Sequence, residues 1–149
     1  MAITTAMCSS FKQELLGGVH DLDTDTLKLA LIRKDEVGNP TATYDSTTTN
    51  YSDVTGNSDE ASGNGYSTGG GTLDSPVITL SGTTAFVDFA DEAFSNVTVD
   101  ASGCIIYNSS QSNKAIAVFD FGGTVSATSG TLTVQFPTAD ATNAVIRLT

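Results

Sequence analysis

His20 is the chain's single histidine, so any Ser-His-Asp or Cys-His mechanism would have to run through it. It falls between Gly17-Gly18 and the acidic run DLDTDT, Asp21 to Thr26, a turn context that predicts a solvated ring. No serine stands in a G-x-S-x-G setting. Neither cysteine, Cys8 or Cys104, has the helix-start or basic neighbourhood that favours a thiolate. They lie far apart in sequence and Cys104 opens an apolar run, which reads as two free thiols rather than a disulfide. DLDTDT spaces three carboxylates at alternate positions, as calcium loops do. The EF-hand pattern would then require Gly where Thr26 stands and a bidentate Glu where Ile32 stands, so a turn leading into a strand is the better account. Carboxylate pairs for glycoside hydrolysis meet in space rather than in sequence; Asp88, Asp100 and Asp120 are the acidic residues that fall inside expected strands. Gly69-Gly70-Gly71 lacks the Lys of a phosphate loop and reads as tight-turn backbone. No catalytic residue, metal ligand or cofactor is assigned on these grounds.

The elements that position these residues read as mostly strands. SSFKQELLGG predicts a short helix: Ser10 with Gln13 fits a capping box, Phe11 and Leu15 lie four apart, and Gly17-Gly18 supplies the stop. TLKLALIRK, Thr26 to Lys34, alternates Leu27, Leu29 and Leu31 against Lys28, Ala30 and Ile32, the period of a central strand with one deeply buried face. Strand signals return at Pro76–Leu80, Thr84–Phe89, Val97–Asn108, Lys114–Phe121, Thr131–Phe136 and Asn143–Leu148, separated by SGTT, SSQSN, GGTVSATSG and PTADAT. That spacing predicts a single all-β domain over 1–149, a β-sandwich or jelly-roll, with an N-terminal arm and short helix at 1–25. Between them, residues 35–73 are almost all turn formers around Tyr44, Tyr51 and Tyr66. A stretch this long is unusual inside a compact domain, and an ordered excursion with short strand pieces around the tyrosines is expected.

Length and composition set the outer bounds. A chain of 149 residues buries roughly two-thirds of its unfolded surface without metal or disulfide staples. Seventeen acidic residues against six basic ones give a net charge of −11, which opposes binding to phosphate backbones or anionic membranes. No run approaches the length of a membrane span, and the first residues lack the basic and apolar regions of a signal peptide. The expectation is synthesis in a cytoplasm and either residence there or departure within an assembly.

SSFKQELLGGVHDL, NGYSTGGGTL, TTAFVDFADEAFSN, IIYNSSQSNKAIAVFDFGG and TLTVQFPTADATNAVIRL together resemble a family of small structural proteins of tailed bacteriophages. The similarity is weakest across Asp35 to Ser62. The resemblance implies a non-enzymatic virion component at the capsid surface, a decoration or cement protein whose partners are the major capsid protein and copies of itself, a trimer included. It carries no catalytic motif to transfer. Aromatic side chains outside the expected core strands, Phe11, Tyr44, Tyr51 and Tyr66, are the candidate partner contacts, because aromatic anchors are favoured at interfaces. A neck or tail fibre subunit and a carbohydrate-binding module with a tyrosine platform are the competing readings.

Overall fold

In the computed structural model, which describes residues 2–149, the chain opens with a two-residue strand β1 (Ala6–Met7) and a helix α1 (Ser9–Leu16). Helix α1 stops at the glycines as expected: the amides of Gly17, Gly18 and Val19 donate to the carbonyls of Gln13, Leu15 and Glu14. The capping box does not form. The helix starts at Ser9 with Cys8 as N-cap, no side chain caps it, and Ser10 Oγ is buried without a partner among the described residues.

The elements that follow are β2 (Leu27–Arg33), a short helix α2 (Ser52–Gly56), β3 (Gly71–Thr72), β4 (Val77–Ser81), β5 (Thr84–Asp88), β6 (Glu92–Asn108), β7 (Lys114–Val134) and β8 (Ile146–Leu148). They form two antiparallel sheets, one of five strands in the order β1-β7-β6-β2-β3 and one of three in the order β4-β5-β8. The fold is all-β and sandwich-like, as the strand spacing predicts. One cluster of buried apolar side chains runs through it, from Phe11, Leu29, Leu31, Ile105 and Val118 of the larger sheet and helix to Val87 and Ile146 of the smaller sheet.

Strand β2 is buried on both faces from Leu29 to Ile32, and it lies second from one edge, beside β6, which holds the centre. The long β6–β7 ribbon runs from Glu92↔Val134 to Asn108↔Lys114. GGTVSATSG, expected as a turn, continues β7. Gly122, Gly123 and Ser129 sit at bulges instead: the register slips between Ala101 and Gly103, where Gly122 has φ +76°, and again near Ser129 at φ +46°. Extra residues on one strand are absorbed that way without ending the pairing.

Residues 35–73 are ordered, as expected, and lie back over the larger sheet. Single bridges tie Tyr44 to Ile3, Asn50 to Lys114, Glu60 to Ile32 and Asn64 to Thr98. Close approach of two backbones requires glycine here: a Cβ on Gly70, at φ +74°, would lie 1.8 Å from the Leu29 carbonyl oxygen.

Candidate functional site

Two carboxylates in the 35–73 segment gather its tyrosines. Asp59 is fully buried. Its oxygens accept from the Tyr44 hydroxyl at 2.6 Å, the Thr41 amide at 2.8 and 2.9 Å, the Ala42 amide at 3.1 Å and the Thr41 hydroxyl at 3.1 Å. Burial alone would raise the Asp59 carboxyl, but the Tyr44 hydroxyl and the Thr41 and Ala42 amides outweigh it and hold the group below the usual carboxylate range. Glu60 next to it accepts from the hydroxyls of Tyr51 and Tyr66 and from the Gly69 amide. The Tyr66 hydroxyl in turn accepts from the Leu31 amide at 3.0 Å, and Tyr107 donates to the Gly69 carbonyl at 2.7 Å. Tyr51 stacks on Tyr107 with centroids 4.4 Å apart, and Tyr66 tilts against Phe94 at 5.5 Å. Burial first, and then the facing carboxylates, raises all of these phenols, Tyr107 to about 12.

These contacts revise the partner residues read from sequence. Phe11 and Tyr44 are 0 % and 1 % exposed and belong to the core, so neither side chain offers surface to a partner. Tyr51 and Tyr66 are half-buried, with both hydroxyls turned inward on Glu60. The cluster clamps the segment to β2 and β6. A flat tyrosine platform for a sugar ring is not what these four side chains build.

His20 is also not solvated: its side chain is 0 % exposed and packs 5.0 Å from the Phe11 ring. Asn108 fixes its tautomer. The Asn108 carbonyl oxygen accepts from the Ser110 amide, so its NH₂ donates to His20 Nδ1 at 3.0 Å and to Asp25 at 2.7 Å, leaving His20 Nε2–H to donate to Glu14 at 2.7 Å. Lys114 completes the row at 3.3 Å from the other Glu14 oxygen. This chain of contacts joins α1, the DLDTDT turn and the β6–β7 connection. Within that turn, Asp21 Oδ1 accepts from the amides of Asp23 and Thr24, so the alternating carboxylates serve the turn.

Both cysteines are free and buried. Cys8 does stand at a helix start, contrary to the sequence reading. Burial, then Asp53, Glu14 and Asp45, nevertheless pushes its thiol up to about 12, and burial alone raises Cys104. Of the acidic residues in strands, Asp88, Asp100 and Asp120 are joined by Glu92, which β6 includes because it starts earlier than expected.

The feature that sequence reasoning missed is the three-stranded sheet. All five residues of β4 are exposed, with Val77, Ile78 and Leu80 at 56 %, 55 % and 72 %. The strand itself is legible in the sequence, whereas its exposure follows only from the tertiary arrangement. The register with β5 and β8 puts Ile78, Leu80, Ala85, Val87, Ile146 and Leu148 on one face. Val87 and Ile146 are buried at the inner end of that face, while Leu148 is 46 % exposed at the outer end. Between this face and Leu15 and Leu22, from α1 and the segment after it, lies an open apolar groove of about 390 Å³.

No family model, curated protein or solved structure matches the chain.

Proposed function

We propose that the chain is a non-enzymatic structural protein of a tailed-phage virion, a decoration or cement subunit that binds the outer surface of the major capsid protein lattice. The observation that carries this reading is the three-stranded sheet, which holds uncovered aliphatic side chains on a strand exposed along its whole length. Exposed apolar surface rimmed by polar residues is the mark of a protein-binding face. The groups that could make or break bonds support it from the other side, because His20, Asp59 and Glu60 are held in hydrogen bonds within the fold and both cysteines are buried. Charge narrows the partner. With a net charge of −11, and with Arg33, Lys34 and Lys114 already beside carboxylates, phosphate backbones are poor ligands. Many weak contacts, one per copy, suffice on a lattice, since repeated sites convert modest affinity into stable coverage.

Quantifying the chain in purified particles tests the proposal. Many copies per capsid, lost when Leu80→Lys places a charge on the uncovered face, is the expected result. A handful of copies would assign it to a neck or tail position, and absence from particles would end the virion reading.

A further inference from the structure

Strand β4 has β5 on one side and no neighbour on the other among the described residues. Natural edge strands are guarded by charges, bulges or covering loops, because their unpaired N–H and C=O groups template another strand. β4 carries none of these. No charged residue occurs between Ser75 and Val87, all five β4–β5 pairs are in regular register, and every β4 residue is exposed. Pro76, which cannot donate to a ladder, bounds the free edge at its start.

We infer that this edge pairs antiparallel with β4 of a second copy about a two-fold axis through Thr79, making one six-stranded sheet in the order β8-β5-β4-β4-β5-β8. The proposal rests on the reading of the small sheet as a binding surface and specifies what its edge binds. Centring the pair on Thr79 opposes Ile78 to Leu80 of the second copy, and the reverse, on the apolar face. On the other face it opposes Thr79 to Thr79 and Val77 to Ser81. Aliphatic pairs and Thr–Thr pairs are both favourable cross-strand neighbours. The five residues are thus self-complementary.

For a contact between two copies, charge selects this edge over the rest of the surface. Two chains of net charge −11 repel wherever their acidic surfaces meet, and like charges placed directly opposite each other are costly. The segment 75–87 brings no charge to the contact. Pairing consumes the β4 edge on both copies, so this isologous contact closes at two. The two apolar faces become continuous across the axis, with Ile78 and Leu80 of each copy at the centre.

Sedimentation equilibrium of the full chain, from micromolar to millimolar, should show a species of twice the 15.3 kDa chain mass. Leu80→Lys should remove it, and Val37→Lys, at a fully exposed position on a different loop, should leave it intact. Circular dichroism on each variant establishes that the fold is kept. Register is read by disulfide trapping: opposed residues have Cβ atoms about 4.5–5.5 Å apart, near the span of a disulfide. Thr79→Cys should therefore give a covalent dimer on mild oxidation. Ser81→Cys should not, since the two copies of that residue would lie about 13 Å apart along the strands. A chain that stays monomeric throughout, a dimer indifferent to Leu80→Lys, or trapping at 81 in place of 79 would each overturn the inference. A monomer whose Leu80→Lys variant loses particle occupancy would overturn it while leaving the virion proposal standing; a Thr79-trapped dimer absent from particles would do the opposite.

Discussion

At the residue scale the molecule's most consequential group is a carboxylate that composition hides. Asp59 lies in a stretch, SDEASGNG, whose polarity predicts solvent, yet it is buried and surrounded by four different donor groups. Nothing local announces this, because its partner Tyr44 is 15 residues away and only chain reversal brings them together. The same reversal explains why Tyr44 reads as a surface aromatic and is a core one. Tyr44→Phe removes one donor from a buried anion and should cost about 1–3 kcal/mol in urea unfolding. The pH dependence follows from the direction of the Asp59 shift. A carboxyl held below its unfolded value of about 3.9 stabilises the fold fully above that pH, and the contribution is lost as pH falls through the lower, folded value. Asp59→Asn should therefore be less stable than the parent at neutral pH, and the gap should narrow below about pH 4. Glu92, raised by burial and then by Asp74, acts in the opposite sense in both proteins and cancels in the difference. A gap constant with pH would contradict the assignment.

At the element scale, what was legible depended on whether periodicity or composition carried the signal. Phe11, Leu15 and the double glycine mark α1 and its stop correctly, because each acts within one or two helical turns. The strands at Thr84, Val97 and Lys114 were equally readable from alternation. GGTVSATSG failed as a turn because glycine and serine serve bulges as readily as turns, and only pairing with β6 distinguishes the two. The strand expected at Pro76–Leu80 forms as β4, shifted by one residue, but its full exposure is set by the tertiary arrangement and has no local signal. The glycines of residues 63–71 show the same dependence on tertiary context, and they give a direct test. Gly38 and Gly70 both have positive φ, but a Cβ on Gly38 meets nothing within 4 Å whereas one on Gly70 meets the backbone of Leu29 and Ala30. Gly38→Ala should cost about 1–2 kcal/mol, the left-handed penalty alone. Gly70→Ala should cost several-fold more, because segment 69–72 must lift from β2 and break the Tyr107 contact to Gly69. Thermal unfolding reads the difference, at about 2–4 °C per kcal/mol for a domain near this size, and equal melting points would refute the close-packed account.

For the whole molecule, two buried thiols at different depths report how the fold comes apart. Cys104 sits mid-sheet on β6, paired with Leu31 on one side and Phe119 on the other. Cys8 caps α1 beside β1, which is held to β7 by two residue pairs. Proteins open in units whose free energies follow their buried contacts, and the N-terminal arm is tied down by far fewer pairs than β6. Release of the arm exposes Cys8 without disturbing the β2–β6–β7 centre, whereas Cys104 meets solvent only when that centre separates. Reaction with a thiol reagent at mildly alkaline pH should thus be slow for both in the native protein, since each thiol is raised above its ordinary value. It should label Cys8 well ahead of Cys104 and should become fast and equal in denaturant. The order is the informative quantity. Equal native rates would mean that arm and sheet open together as one unit, and the His20 row linking Glu14 of α1 to Asn108 of β6 would then be the connection that makes them cooperative. Repeating the measurement with Asn108→Ala separates these cases: where the row couples arm and sheet, cutting it should turn equal rates into a ratio favouring Cys8, and where the arm already opens alone the ratio should stay large.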